Sequence, residues 1–99
     1  MQVQINSDNA TAGSENLSQD VTAQVEAALS RFSQQITRIE VHLSDLGGEQ
    51  HRCVIEARLE GLQPFDVSNK GGTIDEAVDG CLTKMQSRIE STLGRLEHR

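Results

Sequence analysis

The chain has 99 residues, nine Lys and Arg against fifteen Asp and Glu, and a formal charge of -6. That size makes one domain, residues 1–99, and its 35% hydrophobic content, with Phe32 and Phe65 the only aromatics, allows an aliphatic core that seals one sheet face against two helices. No run approaches the roughly 18 apolar residues of a membrane span, and Met1 to Asn6 is not a basic start followed by an apolar stretch, so a cytoplasmic protein without a membrane partner is expected.

Val3 and Ile5 alternate with Gln2, Gln4 and Asn6, which predicts a short strand. Ser7 to Gly13 is polar and reads as a loop. Ser14 is placed to cap a helix, with Glu15 in the first turn where the helix dipole favours an anion. Leu17, Val21, Val25, Ala28, Leu29 and Phe32 follow at helical spacing, so the first helix runs from Glu15 to Phe32. Ile39, Val41 and Leu43 then alternate with Arg38, Glu40, His42 and Ser44, a half-buried strand. Leu46 to Gln50 turns the chain. Cys53, Ile55, Ala57 and Leu59 form the next strand, joined as a hairpin. Gly61 to Pro64 turns again, and Phe65 and Val67 mark a short fourth strand that Gly71-Gly72 ends. Thr73-Ile74-Asp75-Glu76 has the capping-box pattern and opens the last helix.

The order is β-α-β-β-β-α. A β-α-β unit closes as a parallel crossover, and the two short connections that follow make antiparallel hairpins. The expected fold is α+β, a four-stranded sheet with both helices on one face. The other face then carries Gln2, Gln4, Asn6, Arg38, Glu40, His42, Arg52, Glu56, Arg58, Asp66 and Lys70, all solvated.

The last helix sorts its charges by side. Ile74, Ala77, Val78, Cys81, Leu82, Met85, Ile89, Leu93 and Leu96 make one buried stripe. At about 100° per residue, Lys84, Arg88, Arg95 and Arg99 fall within roughly 60° of one another on one flank. Asp75, Asp79, Glu90 and Glu97 fall on the other. Residues 1–50 carry Arg31 and Arg38 against seven acids, and residues 51–99 carry seven basic residues against eight acids. The chain therefore presents one cationic edge in its second half, a row suited to phosphates, although charges beside a core stripe are also what plain solvation produces.

Other chemistry finds little support. Cys53 and Cys81 sit on apolar alternations without a CxxC pattern and read as reduced core thiols. His42, His51 and the two cysteines do not converge as a four-ligand metal set, so no metal is expected. Glu40 and His42 with Glu56 or Arg58 read as cross-strand pairs rather than an acid–base site. There is no nucleophile elbow and no cofactor fingerprint, so neither an enzyme nor a cofactor is expected.

In order, length and final helix the chain resembles the ribosome hibernation-promoting factors, also called ribosome-associated inhibitor or sigma-54 modulation proteins, of the short type. The likeness spans nearly the whole chain and is strongest at Thr73 to Lys84. There Ala77-Val78-Asp79 and Lys84 match the family pattern, Thr73 replaces an Asp cap, and Asp75 stands where Tyr is usual. Leu29, Phe32, Ile36, Ile39, Val41 and Leu43 look like the family's helix end and second strand. The resemblance implies a fold like the double-stranded-RNA-binding domain and a stress-response role. It also implies binding to the small ribosomal subunit, through ribosomal RNA phosphates, that stops translation by occlusion. Carried over, Lys84, Arg88 and Arg95 lie where the second helix is usually basic, and Arg31 and Arg38 are the candidates around the end of the first. Gln24, Glu26, Ala27 and Ala28 occupy a surface that is lysine-rich in the family. That keeps a second reading open, a diverged paralogue with the same fold acting as a protein-interaction module. An exposed first or fourth strand also leaves room for a homodimer through a sheet edge.

Overall fold

The computed structural model describes residues 1–7 and 15–97. Strand β1 is Gln2–Ser7, helix α1 is Glu15–Leu29, β2 is Ile36–Gly47, β3 is Gln50–Leu59, β4 is Phe65–Gly71 and helix α2 is Ile74–Glu97. The expected cap Ser14 and the cation Arg99 fall outside the described residues.

The sheet order is β1-β2-β3-β4, with β1 parallel to β2 and the other pairs antiparallel. This is the α+β architecture the alternation patterns require. Register aligns the apolar residues: Ile5 lies opposite Val41, Val41 opposite Ile55, and Ile55 opposite Val67. One sheet face is therefore continuous hydrocarbon. Helix α1 covers it with Val21, Val25 and Leu29, and α2 with Ala77, Val78, Cys81, Leu82, Met85 and Ile89, all buried. At about 25 cal/mol per Å² of apolar surface, this layer is the main force that closes the domain.

Four features differ from expectation. Helix α1 stops at Leu29, and Ser30–Phe32 tighten into a 3₁₀ turn in which the Ser33 N–H donates to the Ser30 carbonyl at 3.1 Å. That turn still delivers Phe32 to the core, 7% exposed. Strands β2 and β3 run further than their alternation suggests, because Gly48 and Glu49 alone make the turn, at φ +60° and +62°. Two positive φ values at the centre of a two-residue hairpin match the right-handed twist of the strands. Strand β4 reaches Gly71, one residue past Lys70. Finally, Leu96 leaves the apolar stripe and is 39% exposed. A helix of 24 residues is about 36 Å long while the seven residues of β4 span about 23 Å, so α2 overruns the sheet.

The start of α2 is held by the capping residues. The Glu76 N–H donates to Thr73 Oγ1 at 3.1 Å, and the Glu76 carboxylate reaches back to the Gly72 N–H at 3.0 Å. Asn69 of β4 adds its side-chain amide to the Glu76 and Ala77 carbonyls at 3.4 and 3.3 Å. These contacts fix where the helix enters, and so where its cationic flank lies against the sheet.

Candidate nucleic-acid interface

Helix α2 lies with its two flanks against different neighbours. Its acidic flank faces α1: the Gln86 amide donates to the Ala28 carbonyl at 2.9 Å, and Glu90 pairs with Arg31. Asp79, Thr83 and Gln86 line the groove between the helices opposite Gln24 and Ala27. Its basic flank faces β4. Lys84 Nζ donates to the Ser68 carbonyl at 2.8 Å, and the Arg88 guanidinium lies 4.8 Å from the centre of the Phe65 ring. Arg95, exposed and about two turns further along the same flank, makes no ion pair among the described residues. Stacking on the ring holds the Arg88 stem while its charge stays in water.

The other two candidate residues lie elsewhere. Arg31, in the 3₁₀ turn, rests 4.6 Å from the centre of the Phe32 ring and is engaged by Glu90 across the helix pair. Arg38 is on the opposite side of the molecule, on the open sheet face, where it pairs with Glu40 at 2.9 Å and donates to the Gln4 side chain. The five residues expected at the site thus divide into three along one edge and two apart, each of those two already matched to a carboxylate.

The face that spans both helices carries little positive charge. Among the described residues, exposed Asp20, Glu26, Asp79 and Glu90 share it with Arg31 alone. This follows from α1 having no Lys or Arg in its sequence. The open sheet face runs in charged rows set by register. Arg38 lies opposite Arg58, Glu40 opposite Glu56 and Glu56 opposite Asp66, and Arg52 opposite Lys70. Arg58 also pairs with Glu56 at 3.3 Å on its own strand. Sequence alternation placed all of these on one face but did not reveal that Arg52 and Lys70 stand together at the β4 side; strand register supplies that.

Behind this edge the two thiols meet in the core. Cys53 and Cys81 are both fully buried, and the Cys81 thiol donates toward the Cys53 carbonyl at 3.4 Å and the Val67 carbonyl at 3.6 Å. The hydrogen bond with Cys81, then burial, pushes the Cys53 thiol up from its ordinary value, so it stays protonated. Among the described residues no group of three or more His, Cys, Asp or Glu is placed to hold a metal ion, and no helix is long and apolar enough to cross a membrane.

A four-stranded sheet in this order, backed on one face by two helices, defines an α+β fold with a cationic helix flank along one edge. The chain belongs to the family described as sigma 54 modulation protein / S30EA ribosomal protein, which it matches over residues 3–97. The crystal structure of the Thermus thermophilus Protein Y N-terminal domain is similar to it, with a TM-score of 0.74 at 19% identity, over 93% of this chain and 99% of that one. So is a ribosomal subunit interface protein from Coxiella burnetii, with a TM-score of 0.76 at 14% identity, over 95% and 99% of the respective chains. No curated protein sequence matches the chain.

Proposed function

We propose that this protein binds the small ribosomal subunit through ribosomal RNA phosphates and inhibits translation by occupying the channel for messenger and transfer RNA. The observation that carries the reading is the basic flank of α2, without carboxylate partners among the described residues, on a fold of the S30EA family. The similar Coxiella protein is described as a ribosomal subunit interface protein, which agrees with it. Lys84, Arg88 and Arg95 make the principal contacts. Arg31 and Arg38 contribute less, because each must leave a carboxylate before it meets a phosphate. The action is steric, with no bond made or broken and no cofactor, and it takes place in the cytoplasm. Any homodimer through the sheet uses the outer edge of β1, because Lys84 occupies a carbonyl on β4.

The test is co-sedimentation of the purified protein with small ribosomal subunits across a salt series. Three phosphate contacts give a slope of log K against log salt of about -2 to -3. Lys84→Glu/Arg88→Glu should abolish co-sedimentation at physiological salt and relieve inhibition of a cell-free translation reaction. Binding equal to wild type by this double variant would refute the assigned contacts. A second reading, a paralogue that docks on a basic protein segment, is favoured by Asp20, Glu26, Asp79 and Glu90 on the helical face. Affinity capture that recovers only ribosomal subunits would count against it.

A further inference from the structure

The cations differ in what they are already doing. Arg31, Arg38 and Arg58 each hold a carboxylate. Among the described residues, Arg52, Lys70, Lys84, Arg88 and Arg95 hold none. Four of those five gather around a single strand. Arg52 and Lys70 are directly opposite one another on the open face of β3 and β4, both exposed. Lys84 and Arg88 approach β4 from the helical side, at Ser68 and Phe65. The β4 rim is therefore a ridge with uncompensated cations on both slopes. Asp66 is the only acidic side chain of β4. It stands opposite Glu56, which lies opposite Glu40, and this row bounds the basic area on the open face. Glu76, near the strand's end, is committed to the Gly72 N–H.

We infer that the main phosphate-binding surface of this chain is the β4 rim, with Arg52 and Lys70 joining Lys84 and Arg88, and that the acidic side chains of the face across both helices stay off the RNA. This rests on the reading of the protein as an RNA-phosphate binder and assigns two residues and a docking orientation to it. The physical reason is that a carboxylate-paired arginine gains little by exchanging one anion for another, whereas an unpaired exposed cation releases a phosphate's counterions at no such cost. Helix α1 with its acids would sit close to the phosphates if both helices faced the RNA, and like charge at short range is repulsive. A ridge lying along one phosphodiester strand keeps those acids at the far side of α2, where a Debye length of about 10 Å at 0.1 M salt screens them.

The experiment compares two variants that each lower the net charge by two. Arg52→Gln/Lys70→Gln removes the open slope of the ridge, and Arg58→Glu reverses a carboxylate-paired cation elsewhere on the sheet. Each is titrated by anisotropy against a labelled RNA duplex of about 16 base pairs, and by co-sedimentation with small subunits. The ridge variant should lower the salt slope by about 1.4–1.8, and so weaken binding about 25- to 60-fold at 0.1 M salt. The control should stay within about twofold, since screening leaves little at a distance. Equal losses in the two variants, wild-type affinity in the ridge variant, or a wild-type protein that binds neither RNA probe would overturn the inference. If the duplex shows the expected pattern while wild type ignores the subunits, the rim stands and the ribosomal reading falls. If subunits bind and the ridge variant binds them equally well, the rim falls and the ribosomal reading stands.

Discussion

Adjacent glycines at the entrance to α2 should respond to the same substitution with opposite signs. A Cβ built on Gly71 would lie 2.7 Å from the Ala77 nitrogen and 2.8 Å from Glu76 Cβ, whereas one on Gly72 meets only the Glu76 carboxylate at 3.5 Å. Neither glycine has left-handed backbone. Gly71→Ala therefore forces backbone apart by most of an ångström, at a place where the Thr73 cap and the Asn69 amide hold the first turn. Overpacking of this kind costs about 1–3 kcal/mol, and a strained cap adds up to about 1 kcal/mol. Against this, the stiffer unfolded chain returns about 0.4–1 kcal/mol. The net expectation is a loss of about 2 kcal/mol, or roughly 8–16 °C in Tm for a domain of this size. Gly72→Ala keeps only the favourable part and should be neutral or gain a few tenths of a kcal/mol, up to about 1. Urea unfolding followed by far-ultraviolet circular dichroism reads both, since the chain has no Trp or Tyr to report by fluorescence. A Gly71→Ala variant as stable as wild type, with an unchanged m-value, would refute the claim that α2 is seated by backbone contact with β4.

Glu49 holds φ +62° in the β2–β3 turn without being glycine. Left-handed backbone costs an L-residue about 1–2 kcal/mol, so Glu49→Gly should stabilise by roughly 1 kcal/mol in the same assay once glycine's own entropy is subtracted. The buried thiols should resist Ellman's reagent in the folded protein and react only as fast as it opens; a rapid stoichiometric reaction would place them at the surface. Because the folded Cys53 thiol is raised above its ordinary value of 9.0, its contribution to stability is intact below that pH. As pH climbs past it, the unfolded chain releases a proton that the folded chain keeps, so stability falls. Unfolding free energies at pH 7.5 and 10 should show that decline, and Cys53→Ala should reduce it.

Element order and strand faces were legible because period-two and period-3.6 patterns are local consequences of backbone geometry. So was the start of α2, since Thr73 and Glu76 act within one turn. The length of β2 and β3 was not legible. A Gly-Glu turn with Glu in a left-handed conformation has no local signature, and its stability comes from the two strands it joins. The charge sorting of α2 was readable, and its acidic flank does face α1. What the sequence could not convey was which cations are spent. Arg31 and Glu90 are 59 residues apart and meet only because two helices pack, and Arg52 meets Lys70 only through register. A charge count therefore describes the chain but not the surface, and the site becomes visible only after the paired charges are subtracted.

The two helices are unequally anchored, which sets how the molecule comes apart. Among the residues whose side chains are described, helix α2 buries six against β3 and β4, while α1 buries three and packs chiefly on β1 and α2. Among the described residues, strand β1 has one neighbour in the sheet, β2. Peeling α1 and β1 away together breaks one strand pairing and uncovers the three buried side chains of α1, so these two should open first, ahead of global unfolding. Amide exchange should accordingly be slowest in β2, β3 and α2. The elements that carry Arg52, Lys70, Lys84 and Arg88 belong to the slow half, so that edge outlasts the excursions of the rest of the domain.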